Sequence, residues 1–201
     1  MDWTRPADDP AAAATEPELA SRVAEAQQRL CAINGLDVEL RAERFLLDPA
    51  QARELLPPSS PRTGLAVLEE GADLWLGLYF DARDRRDPAA IVEETSHWLC
   101  VTWHARQARP VSRLVLELQA EVDRYALERL AGRSGLAHLE GVVWDPGLAG
   151  PERRRYEVAH RAARRYCRGL SRRFPQWSDV PGLLGELRRF YRAPSGEKLR
   201  G

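Results

Sequence analysis

IVEETSHWLCVTWHARQARPVSRLVLELQAE, residues 91–121, is the stretch from which the rest of the chain is read. It holds two helical segments separated at Pro110, and it carries the chain's clustered ligand-type chemistry. The first contains Glu93-Glu94-Thr95-Ser96-His97 and the second Glu117-Leu118-Gln119-Ala120-Glu121, with nineteen residues between His97 and Glu117. A helix turns about 100° per residue, so positions four apart share a face. Glu93 and His97 are therefore neighbours, Glu94 borders His97, and Cys100 and His104 continue the stripe. In the second segment Glu117, Glu121 and Glu128 fall within about 40° of one another, flanked by Leu114, Leu118 and Tyr125. Carboxylates set in an apolar face cost free energy unless something pairs with them. A facing helix or a metal ion would supply the pairing.

The pattern resembles the gluzincin metallopeptidases, whose motif is His-Glu-x-x-His followed some twenty residues later by a Glu that opens Glu-x-x-x-Asp. The resemblance covers about thirty residues and is degenerate: EETSH stands for the first motif and ELQAE for the second. It implies a zincin-like arrangement in which His97 and Glu117 are metal ligands, Glu94 is general base for a water, and Glu121 replaces an orienting Asp. Glu93 stands where the first His belongs, so the implied metal set is Glu93, His97 and Glu117, with Glu121 beside them. A Glu in place of a neutral His adds negative charge, lowers the ion's Lewis acidity and favours Mn or Fe over Zn. The implied activity is hydrolysis of a peptide or amide bond, or peptide binding by an inactive derivative. Without an ion, the same residues make a buried histidine neutralised by glutamates of the next helix.

Two other readings compete. A second Glu-x-x-His runs from Glu157 to His160, and two such motifs on different helices are similar to the ferritin-like di-metal carboxylate proteins. Glu157 lies among arginines, which makes an arginine pair the simpler account. The helix around it places Arg161, Arg164, Arg165, Arg168 and Arg172 on one side, the pattern of an adaptor that binds a polyanion or a protein. Cys100 is expected in the core and His104 at the boundary.

Composition narrows the classes. The chain has 201 residues, 44% hydrophobic, with 30 basic and 30 acidic side chains. The balanced charge and the absence of a nucleic-acid-binding motif point away from nucleic acid, and a peptide or protein is the expected partner class. Three scattered cysteines, with no CxxC, fit a reducing compartment. The N-terminal MDWTRPADDPAAAATEP lacks the basic region and apolar run of a secretory signal, and no stretch has the length of a membrane span. The expected location is cytoplasmic.

Along the chain, residues 1–15 read as a disordered tail and 16–201 as a single α+β domain. A helix starts near Pro17 and stops at Asn34-Gly35. The alternating start of residues 38–47 predicts a strand. Asp48-Pro49 opens a short helix through Leu56. Leu65–Leu68 and Leu74–Phe80 form a β-hairpin, the clearest strand signal in the sequence, and its exposed arm suits an extended peptide added as a further strand. Helices follow over 88–108, 112–131, 151–173 and 180–192, with Trp144 expected to plug the core from the connector between the second and third. The expected architecture is a small antiparallel sheet packed on a mostly helical domain.

Overall fold

The computed structural model describes residues 17–57, 60–61, 63–71, 73–142 and 150–200. The expected tail and Trp144 lie outside them. The fold is α+β: helices with one two-stranded antiparallel sheet. The elements, in order, are α1 (Pro17–Asn34), α2 (Pro49–Leu55), β1 (Gly64–Glu70), β2 (Asp73–Tyr79), α3 (Pro88–Ala105), α4 (Arg113–Leu130), α5 (Ala137–Glu140), α6 (Gly150–Arg173), α7 (Val180–Arg192) and α8 (Ser195–Arg200). They group into two compact units, one of residues up to Gln28 with Val38–Ala108, the other of Arg29–Asp37 with Arg109 onward. Among the described residues, no helix is long and apolar enough to cross a membrane.

Local chemistry sets the boundaries. Asp48 accepts from the backbone N–H of Ala50 and Gln51, while Gln51 accepts from that of Asp48, a capping box that starts α2 with Pro49 in its first turn. Asp87 and Pro88 open α3 in the same way, the aspartate accepting from Ala89 N–H at 2.9 Å. Ser112 caps α4 through Val115 N–H. Gly35, at φ 61°, ends α1 in the left-handed conformation that a Cβ disfavours.

In the first unit, β1 and β2 pair from Gly64↔Tyr79 to Glu70↔Asp73 around a turn at Gly71. Leu47, Ala66 and Tyr79 pack with Ala52, Leu56 and Trp75. Phe45 meets the buried Trp98 of α3 at a centroid distance of 5.3 Å. The strand expected at 38–47 is not formed. Ala42–Phe45 is a 3-10 turn, and only Leu46 bridges to Leu78 of β2. Gln27 of α1 explains the difference. Its side-chain amide donates to Leu40 O at 2.6 Å, and its carbonyl accepts from Ala42 N–H at 2.7 Å. A side chain thus satisfies backbone groups that a strand would have offered to a ladder.

The second unit is built on α4 packed against α6. Tyr166 stacks on Phe190 of α7 at 4.0 Å, and Tyr125 OH meets Ser171 Oγ at 2.9 Å. Arg188 donates to the carbonyls of Ala32 and Ile33, and Arg192 to those of Asn34 and Gly35, so α7 caps the C-terminal end of α1. A buried polar chain crosses the unit. Lys198 donates to Gln119 at 3.0 Å, Gln119 donates to Asp123 at 3.0 Å, and Asn34 donates to the same Asp123 oxygen at 2.9 Å. The Lys198 ammonium also lies 5.2 Å from the ring centroids of both Phe190 and Tyr191. Sequence periodicity did not signal α8 or this buried lysine.

Candidate metal-binding residues

On α3 the buried positions run almost without interruption from Ile91 to Thr102. A helix apolar around its circumference belongs inside a protein, and this one carries three ionisable side chains inward on adjacent turns. Glu94 and His97 are each 8% exposed, and Glu93 is half-buried. Glu94 is therefore withdrawn from solvent although it lies within the first two turns of α3. A carboxylate oxygen of Glu93 and a ring nitrogen of His97 lie within 4.8 Å of one another, one helical turn apart. Glu94 Oε2 faces His97 Nδ1 at 3.3 Å. The rest of the stripe is structural. Cys100 is fully buried, and His104, expected at the boundary, is 7% exposed. Its Nδ1–H donates to the carbonyl of Cys100 at 2.8 Å, which satisfies the ring inside the unit.

On α4, Glu117 is 8% exposed and forms an ion pair with Arg155 of α6, Nε to Oε1 at 3.4 Å. Burial works against the charge on Arg155, but Glu117, Tyr156 and Glu152 outweigh it and raise its pKa. One turn on, Glu121 meets two imidazoles. His160 Nδ1 of α6 lies 3.0 Å from Oε1, and His138 Nε2 of α5 lies 3.1 Å from Oε2. The His138 approach is off the line of a ring N–H and is an ion-pair distance rather than a well-formed hydrogen bond. Burial pushes the Glu121 carboxyl up, yet the two histidines outweigh it and hold the group at about 2. His160 also turns Nε2 to the carbonyl of Leu139 at 3.2 Å. Glu128, the third acid of the sequence stripe, points elsewhere. It forms a double contact with Arg133, which lowers its pKa despite some burial.

The sequence thus named the carboxylates of α4 but not what faces them. Arg155 and His138 carried no signal. His160 did, in the second Glu-x-x-His, but the structure divides that motif. Glu157 pairs with Arg153 at 2.9 Å, as the arginine account expected, while His160 turns to Glu121. Three arginines of the α6 row have internal partners: Arg168 with Glu140, Arg165 with Leu199 O and Arg172 with Arg168 O.

The donor chemistry of α3 fits a divalent ion. A carboxylate and an imidazole, one turn apart and largely withdrawn from water, suit Mn, Fe or Zn. Burial, with Asp37 and Asp123, pushes the Cys31 thiol up to about 11, and burial raises that of Cys167 strongly. No protein-family model matches this sequence, and comparisons with curated proteins and with solved structures give no match either.

Proposed function

We propose that the chain is a zincin-like metal-binding domain, with a peptide or amide bond as the substrate class if it is hydrolytic. The ligands in this reading are Glu93 and His97 of α3 and, by the nineteen-residue spacing in the sequence, Glu117 of α4. Glu121, engaged by His138 and His160, is left out of the set. The observation that carries the reading is the Glu93–His97 pair, two donor atoms within 4.8 Å on an inward-facing helix. A bound ion would supply Lewis acidity toward the carbonyl of the scissile bond. The chain's own residues would orient the ion and exclude bulk water from it. An extended peptide would add to the sheet along β1, whose partner in the two-stranded sheet lies on one side only.

Elemental analysis after purification without chelator tests the reading. About one divalent ion per chain is expected, with uptake lost in His97→Ala and Glu117→Ala. A metal-free protein whose melting temperature does not respond to Zn, Mn or Fe would overturn it. The acids would then be held by protons, imidazoles and arginines alone.

A further inference from the structure

We propose that Glu94 is a positioning residue for His97, fixing the ring so that Nε2 is the nitrogen presented to the ion. The inference rests on the metal reading above and changes the role that the gluzincin resemblance gives to Glu94.

The argument starts from proton inventory. A neutral imidazole carries one N–H and one lone pair, and an ionised carboxylate only accepts. Glu94 Oε2 lies 3.3 Å from His97 Nδ1, and both residues are 8% exposed. A lone pair on Nδ1 would face the carboxylate oxygen and be repelled by it, so Nδ1 carries the proton and donates. The lone pair then belongs to Nε2, on the other edge of the ring. Hydrogen bonds from the non-ligating nitrogen to a carboxylate are the usual way a metal-binding histidine is oriented. The two residues are three apart on one helix, so the pairing is set by α3 itself.

Two further observations assign this role to Glu94. The resemblance gives orientation to the acid at Glu121, but that carboxylate is occupied on both oxygens by His160 and His138. It also makes Glu94 a general base, which needs an oxygen free to approach a water. Here one of its two oxygens, Oε2, is directed at the ring, and the side chain sits among buried neighbours from Thr95 to Thr102, which leaves only Oε1 for a water. Glu94 thereby takes the orienting role that the resemblance gives to Glu121, and not that of general base.

The test uses the full chain, with nitrogen-15 NMR of the histidine rings in metal-free protein and cobalt(II) titration followed by visible absorption. Wild type is expected to show His97 protonated on Nδ1 and unprotonated on Nε2. Glu94→Gln keeps a carbonyl acceptor and should keep both the tautomer and the cobalt affinity to within a fewfold. Glu94→Ala should mix the tautomers and weaken cobalt binding about 10- to 100-fold. An Nε2–H tautomer in the wild type, or Glu94→Ala binding cobalt as wild type does, would overturn the positioning role. A chain that shows the Nδ1–H tautomer but takes up no cobalt would instead overturn the metal reading. Loss of metal in Glu94→Gln as severe as in Glu94→Ala would also reject positioning, because only a direct ligand needs the carboxylate charge.

Discussion

The acids of α3 and those of α4 solve the same problem differently. On α3, Glu94 and His97 face each other at 3.3 Å from within one helix, three residues apart. On α4, Glu117 and Glu121 are one turn apart, yet each relies on groups from elsewhere in the sequence: Arg155 and His160 on α6, and His138 on α5. A short-range pair is within reach through helical geometry alone. A long-range set exists only when three helices are docked. The first arrangement is thus a property of a segment, and the second a property of a folded unit.

Several measurements would break or sharpen that contrast. The largest effect is expected from Arg155→Ala. Removing the guanidinium beside a carboxylate that is 8% exposed should cost about 3 kcal/mol in urea unfolding, and added divalent metal should return part of it. A loss below about 0.5 kcal/mol would show that Glu117 does not depend on α6. His160→Ala comes next, at about 2 kcal/mol, because it removes one partner of Glu121 and a donor to Leu139 O. His97→Ala, in metal-free protein, should cost less than His160→Ala if the α3 pair is a local matter.

The acid limb of stability separates the two helices again. The folded Glu121 carboxyl is held at about 2 against an ordinary 4.5, so more protons are bound in the unfolded state. The contribution is fully present above about pH 4.5 and is lost as pH falls toward about 2. Glu121→Gln should flatten stability against pH across that window, measured by urea midpoints. An unchanged slope would mean that the two histidines do not hold the charge. Glu94→Gln should produce the smallest change, within about 0.5 kcal/mol at neutral pH, since the amide still accepts from His97 Nδ1.

Helix boundaries were legible because their signals are local. Asp87-Pro88, Asp48-Pro49, Ser112 and Asn34-Gly35 each stop or start a helix through atoms within four residues. The hairpin was legible for the same reason. The stretch 38–47 was not, because what decides it is Gln27 on another element, and its Leu and Val alternation carries no trace of that amide. The candidate site follows the same division. Spacing placed Glu93, Glu94 and His97 on adjoining positions of one buried helix, while the partners of Glu117 and Glu121 come from 17 to 39 positions away with no fixed offset. His104 shows the limit in miniature. A histidine near a helix end reads as a boundary residue, but a bond to the carbonyl four residues back lets it be buried.

The bond between Asn34 and Asp123 joins residues 89 positions apart, with the whole hairpin and α3 lying between them in the chain. Closing a loop of that length costs roughly 4 kcal/mol of chain entropy, beyond a constant, before the bond returns anything. Order of assembly follows from this cost. The intervening residues form local contacts of short sequence separation and shorten the effective loop, so the Asn34–Asp123 bond is expected to close late in folding. A change that slows the hairpin is therefore expected to delay a buried amide bond whose two partners flank it in the chain, and stopped-flow refolding would show that delay where an equilibrium melt would not.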